Sequence, residues 1–245
     1  MANILETLVI ASERAACIAR ACCSDSTREA LFVAEKVNGE ANSRFDRDFK
    51  TIADVLAQES AKTEIAASFP ELADNVRGEE CSEIGGVNIA VQENVERTTE
   101  LLTYLVPPNA AKRMADAVHS NIELKLENLP NLPEINTSDL GVWIDPIDAT
   151  AEFIAGAQGK VNAGRAAAYI VSKDTTFRWD TCAPHSILRA KGGDVLNYTT
   201  KSPITYNDPE SRDAKEFCNS GGVIAYANPS IYEKIKSLHQ QMLER

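Results

Sequence analysis

Apolar side chains recur at helical spacing from Ile4 to Cys23, where Ile4, Leu5, Leu8, Val9, Ala15, Ala16, Ile18, Ala19 and Cys22 predict an amphipathic helix. A second helix is expected over Thr27 to Val37, followed by a polar stretch from Asn38 to Asp48. Ile52, Val55, Leu56 and Ile65 form the stripe of a third helix with Asp54 near its start and no Gly or Pro in its body. Phe69 to Glu80 ends in Gly78-Glu79-Glu80, and Val87 to Val91 reads as a short strand. Helical segments follow around Glu93–Tyr104 and Ala110–Leu126, the first closed by Pro107-Pro108.

The pattern then changes. Leu140 to Ile144 reads as a buried strand that runs into Asp145-Pro146-Ile147-Asp148, and Thr150 to Ala157 reads as a helix. Ala167 to Val171 is strand-like, and Phe177-Arg178-Trp179-Asp180 comes after it. Pro184 to Lys191 predicts a helix with proline in its first turn, stopped by Gly192-Gly193. Gly221 to Tyr226 is a last strand and Ser230 to Leu243 a last helix. The alternation of periods describes an α/β chain without internal repeats.

Composition narrows the function classes. Twenty-five basic against thirty-six acidic residues give a formal charge of −11, which argues against a nucleic-acid groove or an anionic membrane surface as partner. No apolar run reaches membrane-spanning length, and the N-terminus carries no signal-peptide pattern, so a cytoplasmic protein is expected. The six cysteines Cys17, Cys22, Cys23, Cys81, Cys182 and Cys218 form no C-x-x-C pair. The three histidines sit at no zinc-ligand spacing, so the cysteines read as free thiols of a reducing compartment.

The candidate chemistry lies in the acids. Asp145 and Asp148 flank a Pro-Ile pair at a strand-to-helix junction, where two carboxylates repel unless a cation neutralises them. A hard divalent cation prefers such oxygen ligands, and the turn frees the Ile147 carbonyl as another. The amides of Ala149 and Thr150 open the next helix, a place that favours a phosphate oxygen. On their own the two aspartates are equally well read as helix caps. Gly78-Glu79-Glu80 suits a surface turn, and Trp179-Asp180 suits a core residue followed by a cap. His185 reads as a structural or surface histidine rather than a catalytic one.

Gly78-Glu79-Glu80, Trp143-Ile144-Asp145-Pro146-Ile147-Asp148-Ala149-Thr150 and Trp179-Asp180-Thr181-Cys182-Ala183-Pro184-His185 together resemble the lithium-sensitive inositol monophosphatase superfamily. Ser12 to Ala16, Phe49 to Leu56, and Phe177 to Asp180 running into Ser186 to Ala190 are most similar to its inositol polyphosphate 1-phosphatase branch. The resemblance covers about Ile4 to Ala157 and about Ala167 to Leu243. It implies a layered αβαβα sandwich of the sugar-phosphatase type, truncated in its second half. Residues 1–157 would carry the N-terminal helices, the first sheet and the metal motifs, and 158–245 a shortened C-terminal α/β part, expected as one compact unit.

The implied activity is Mg²⁺-dependent, lithium-sensitive hydrolysis of the 1-phosphate of inositol 1,4-bisphosphate and inositol 1,3,4-trisphosphate. By position, Glu79, Asp145 and the Ile147 carbonyl would hold one Mg²⁺, and Asp145, Asp148 and Asp180 a second. Glu80 would assist a weaker third. Asp54 and Thr150, with Glu79, would orient and deprotonate the attacking water. Asp148, Ala149, Thr150 and Asp180 would contact the substrate, the Ala149 and Thr150 amides taking the scissile phosphate. Two cations roughly 3.5–4 Å apart can stabilise both oxygens of an in-line displacement.

Two departures stand against this pattern. Ala149 replaces the family's Gly or Ser, and only thirty-one residues lie between Asp148 and Asp180, far fewer than in the family. The segment Gln158 to Ala166 joins ends that are usually distant, and neither Lys160 nor Arg165 takes a family role. Two alternatives therefore stay open. One is a 3′(2′),5′-bisphosphate nucleotidase, which Trp179 to Pro184 also resembles; the other is a truncated, non-catalytic metal-binding or interaction protein. Oligomeric state is not legible.

Overall fold

The computed structural model describes residues 3–22, 31–36, 41, 47–123, 136–147, 150, 168–207 and 214–243. The chain divides into two compact units, Met1–Glu40 with Arg47–Gly159, and Ala41–Asp46 with Lys160–Arg245. The fold is mixed α/β. No helix among the described residues is long and apolar enough to cross a membrane.

In the first unit, α1 (Ile4–Cys22) packs along α2 (Ile52–Ser68). Ten of the seventeen positions of α2 are buried, so it is the central helix rather than a surface one. Ile52, Val55 and Leu56 lie in a core shared with Ile18, Leu102, Ala111 and Met114, while Ile65 joins a second cluster with Ala11, Leu72 and Val76. Truncating one such side chain to Ala costs about 2–5 kcal/mol, because the transfer term and the cavity add. Helices α3 (Val95–Leu102) and α4 (Pro108–Val118) close the other side. Asn94 caps α3 by accepting the Arg97 N–H, and Pro108 opens α4 at a position where its missing N–H costs nothing. Helix α4 ends at Val118, with His119 as its C-cap, well short of the expected Leu126.

The expected second helix is overturned where it is described. Val33–Glu35 is strand β1, antiparallel to β2 (Phe49–Thr51), with Ala34 opposite Lys50. Pairing with Phe49–Thr51 satisfies the backbone groups that a helix would have satisfied internally, a tertiary effect that local periodicity does not record. Residues 27–30 and 37, the rest of that expectation, fall outside the described residues. Strand β3 (Val76–Gly78) follows a 3₁₀ turn, and β4 (Glu83–Ile84) and β5 (Val87–Asn88) form a hairpin across Gly85-Gly86. Both of those glycines have positive φ, as a tight hairpin turn demands. Strand β6 (Val142–Ile144) lies parallel to β3, with Gly78 opposite Ile144.

In the second unit, β7 (Ala168–Val171), β8 (Asp194–Asn197) and β9 (Val223–Tyr226) make an antiparallel sheet in the order β7-β9-β8. Strand β8 had no counterpart in the sequence pattern. Helix α5 spans Arg178–Ala190 and α6 spans Pro229–Leu243. Helix α5 thus begins six residues before the expected Pro184, which lies inside it. The cause is local: the Asp180 carboxylate accepts the Phe177 N–H at 2.8 Å, holding the start of the helix there. His185 is buried, its Nδ1 2.9 Å from the Tyr206 hydroxyl and its Nε2 against Asp194 Oδ1, which is the structural role expected of it. Cys17, Cys22, Cys81, Cys182 and Cys218 form no disulfide among the described residues, and Cys23 falls outside them.

Candidate metal centre

The register of β3 and β6 places the acids. Gly78 and Ile144 face each other at the ends of two parallel strands, so Glu79 and Asp145 leave the same end of the ladder together. The Glu79 N–H donates to the Ile144 carbonyl at 3.1 Å and extends the pairing by one bond. Carboxylate oxygens of Glu79 and Asp145 lie within 4.8 Å of each other. The carboxyl ends of parallel strands are where α/β folds collect ligands, because the chain turns there and exposes its polar groups.

Glu80 is held by a residue that the sequence pattern does not single out. Gln58, fully buried in α2, accepts the Glu80 N–H through Oε1 at 2.9 Å and donates from Nε2 to the Glu80 carbonyl at 2.5 Å. That bracket needs a glycine at 78, since a Cβ there would stand 1.9 Å from Gln58 Oε1. The sequence did contain a signal: a glutamine amid the apolar and small residues of a buried helix must find partners for its amide.

Lys36, one residue past β1, is the second such residue. Its side chain is 2% exposed, and its Nζ lies 2.6 Å from Glu79 Oε1 and 2.7 Å from Glu80 Oε1. Burial works against the Lys36 charge, but the Glu80 and Glu79 carboxylates overcome it and raise its pKa. Burial pushes the Glu80 pKa up, Lys36 opposes the shift, and Glu79 and Asp54 add to it. The buried Glu80 Oε2 accepts no hydrogen bond from any described residue. One ammonium cannot neutralise two glutamates beside further acids, and an all-oxygen set short of positive charge fits a hard divalent cation. Glu79, Glu80 and Asp145 therefore suit a hard divalent cation by donor chemistry.

Asp54 sits at the start of α2, where it closes a capping box. Its Oδ2 accepts the Thr51 N–H at 2.7 Å and the Thr51 hydroxyl at 2.6 Å, while the Thr51 oxygen accepts the Ala53 and Asp54 N–H groups. The Thr150 hydroxyl lies 3.4 Å from the other oxygen, Oδ1, and 3.2 Å from the Ile147 carbonyl. Burial raises the Asp54 pKa to about 6, against the hydrogen bonds from Thr51 and with help from the Glu79 charge. A carboxyl poised near neutrality next to a hydroxyl is suited to accepting a proton from a water.

Asp148 and Ala149 lie outside the described residues, as do the helix expected from 151 to 157 and the joining segment 158–166. Asp180 belongs to the second unit and has the capping role given above. The first unit therefore brings together Glu79, Glu80, Asp145, the Ile147 carbonyl, Asp54 and Thr150, with Lys36 and Gln58 added.

Comparison with known proteins agrees with the motifs. The chain is 39% identical over 173 residues to an inositol polyphosphate 1-phosphatase of Mus musculus, a span of 67% of this chain and 44% of the relative. It is 38% identical over 165 residues to those of Homo sapiens and Bos taurus, covering 64% of this chain and 41% of each relative. The chain thus spans less than half the length of the curated relatives it matches. Residues 157–243 match the inositol monophosphatase family, the same family that the motifs resemble.

Proposed function

We propose that the chain hydrolyses the 1-phosphate of inositol polyphosphates, with inositol 1,4-bisphosphate and inositol 1,3,4-trisphosphate as substrates, in a Mg²⁺-dependent and lithium-sensitive reaction in the cytoplasm. The observation that carries the reading is the pairing of Glu79 and Asp145 at adjacent parallel strand ends, their carboxylate oxygens within 4.8 Å. The relatives' names supply the substrate class. Glu79, Asp145 and the Ile147 carbonyl would hold one Mg²⁺, and Asp145, Asp148 and Asp180 a second, with Glu80 assisting a third. Bound there, the cations would supply positive charge to the phosphoryl oxygens. Asp54 Oδ1 and the Thr150 hydroxyl would orient water, and Asp54, with Glu79 beside it, would take its proton. The amides of Ala149 and Thr150 would receive the scissile phosphate, beside Asp148 and Asp180. The same reading extends the mixed α/β fold to the layered αβαβα arrangement.

A second reading rests on Lys36. Its ammonium already stands against both glutamates, and a tethered cation of this kind suits a chain that binds metal weakly and turns nothing over. Phosphate release from inositol 1,4-bisphosphate with Mg²⁺, with and without lithium, on the wild type and Asp145→Asn, separates the two. Lithium-sensitive turnover lost in the variant supports hydrolysis. Folded protein that releases no phosphate from this substrate overturns it. Calorimetric Mg²⁺ binding without turnover then leaves the non-catalytic reading, and release from adenosine 3′,5′-bisphosphate alone points to a nucleotidase.

A further inference from the structure

Away from the carboxylates, α1, α2 and the end of α4 enclose a cleft of about 250 Å³. Arg14, Ser60, Glu64, Val91, Val118 and His119 line it, together with Thr63, Ala67 and Ser120. None of these residues belongs to the metal centre. Ser60 is 2% exposed, and its hydroxyl has no hydrogen-bond partner among the described residues. A buried hydroxyl left unpaired costs about 1–3 kcal/mol, so something that enters the cleft and both gives and takes a hydrogen bond would be stabilised there.

The charges define what that is. Arg14 is already engaged: Nε donates to Glu64 Oε2 at 3.1 Å, Nη2 lies 3.0 Å from the same oxygen, and Nη1 donates to the Val118 and Ser120 carbonyls at 2.6 and 2.8 Å. The guanidinium is therefore spent on tying the three helices together, and Glu64 cancels its charge. An anion entering the cleft would meet a carboxylate and a guanidinium with almost no donors left. What remains is the Ser60 hydroxyl, the second oxygen of Glu64, and the lone pairs of the Thr63 and Ser120 hydroxyls, whose protons go to Glu59 and Ala117 carbonyls. His119 keeps Nδ1, its Nε2 lying 2.8 Å from Thr98. Ala67, Val91 and Val118 supply an apolar wall.

We propose that this cleft binds a small neutral polyol. Hydroxyl groups can donate to Glu64 and to the Thr63 and Ser120 oxygens while both donating to and accepting from Ser60. The C–H face of a cyclic polyol matches the valine wall. The volume lies below the usual 300–1,000 Å³ of drug-sized sites, which limits the ligand to about a dozen heavy atoms. The inference is independent of turnover at the metal centre.

Amide chemical shifts of the folded chain, followed during titration with myo-inositol and separately with inorganic phosphate, test it. Myo-inositol should give saturable shifts at Ser60, Thr63, His119 and Ser120 with a dissociation constant on the order of 1–10 mM, as expected for a small ligand with few contacts. Ser60→Ala removes a hydroxyl and opens no large cavity, so it should fold normally and weaken binding about five- to tenfold. Ala67→Leu fills the cleft and should abolish the shifts. No saturable shift with myo-inositol, shifts from phosphate at the same amides, or myo-inositol binding unchanged in both variants would each overturn the proposal.

Discussion

Gly78→Ala tests whether the position of Glu80 is set by the Gln58 bracket. The new Cβ would lie 1.9 Å from Gln58 Oε1, 2.2 Å from Cδ and 2.8 Å from Cγ, so the glutamine must leave. Gln58 lies in the middle of a helix packed on α1, and its side chain has no solvent to retreat into. Two costs follow: overpacking of about 1–3 kcal/mol, and two lost hydrogen bonds that leave the Glu80 N–H and carbonyl unpaired, about 1 kcal/mol or more each. Gly78→Ala should therefore destabilise by about 3–5 kcal/mol, a large part of a typical domain's stability. Urea unfolding followed by circular dichroism measures it. Gln58→Ala alone should cost about 2–4 kcal/mol, since the same two backbone groups lose their partner. In the double variant the collision is gone, and alanine at 78 should add less than about 1 kcal/mol, a coupling of roughly 2–4 kcal/mol. Costs that simply add, to within about 0.5 kcal/mol, would refute the bracket.

Lys36→Met should destabilise by about 3–5 kcal/mol at neutral pH, because Glu79 and the buried Glu80 lose the ammonium between them; added Mg²⁺ should recover part of the loss in a thermal melt, and no recovery would count against a cation site there. The Asp54 pKa is about 6 in the folded protein against 3.8 for the free group, so folding favours the protonated form. Its contribution is therefore full below pH 3.8 and is lost as pH rises through 6, a swing of about 3 kcal/mol. Metal-free unfolding across that window should show the fall in the wild type and a flatter slope in Asp54→Asn. In the second unit, His185→Ala strips partners from Tyr206 and Asp194 and should cost about 2–4 kcal/mol by calorimetry; a loss below 0.5 kcal/mol would mean the network is incidental.

Much of the first unit can be read from the chain alone. The stripes of α1 and α2 are periodic over many residues, and burial of such a stripe is the same whichever partner covers it. The acids after Gly78 and Ile144 are legible for a similar reason, since strand ends and acid-bearing turns are local in sequence. Short strands are not. Val33–Glu35 is a strand only because Phe49–Thr51 lies beside it, and β8 only because β9 does. That pairing also carries Lys36 to Glu79 and Glu80, forty-three and forty-four positions away along the chain. Likewise Pro184 reads as a helix start until Asp180 takes the Phe177 N–H and moves the start back. Local sequence therefore determined which segments carry periodic faces and where the acids fall. Tertiary structure decided which acids meet, which cation meets them and which backbone amides a buried glutamine satisfies, because those depend on strand pairing and helix packing between distant residues.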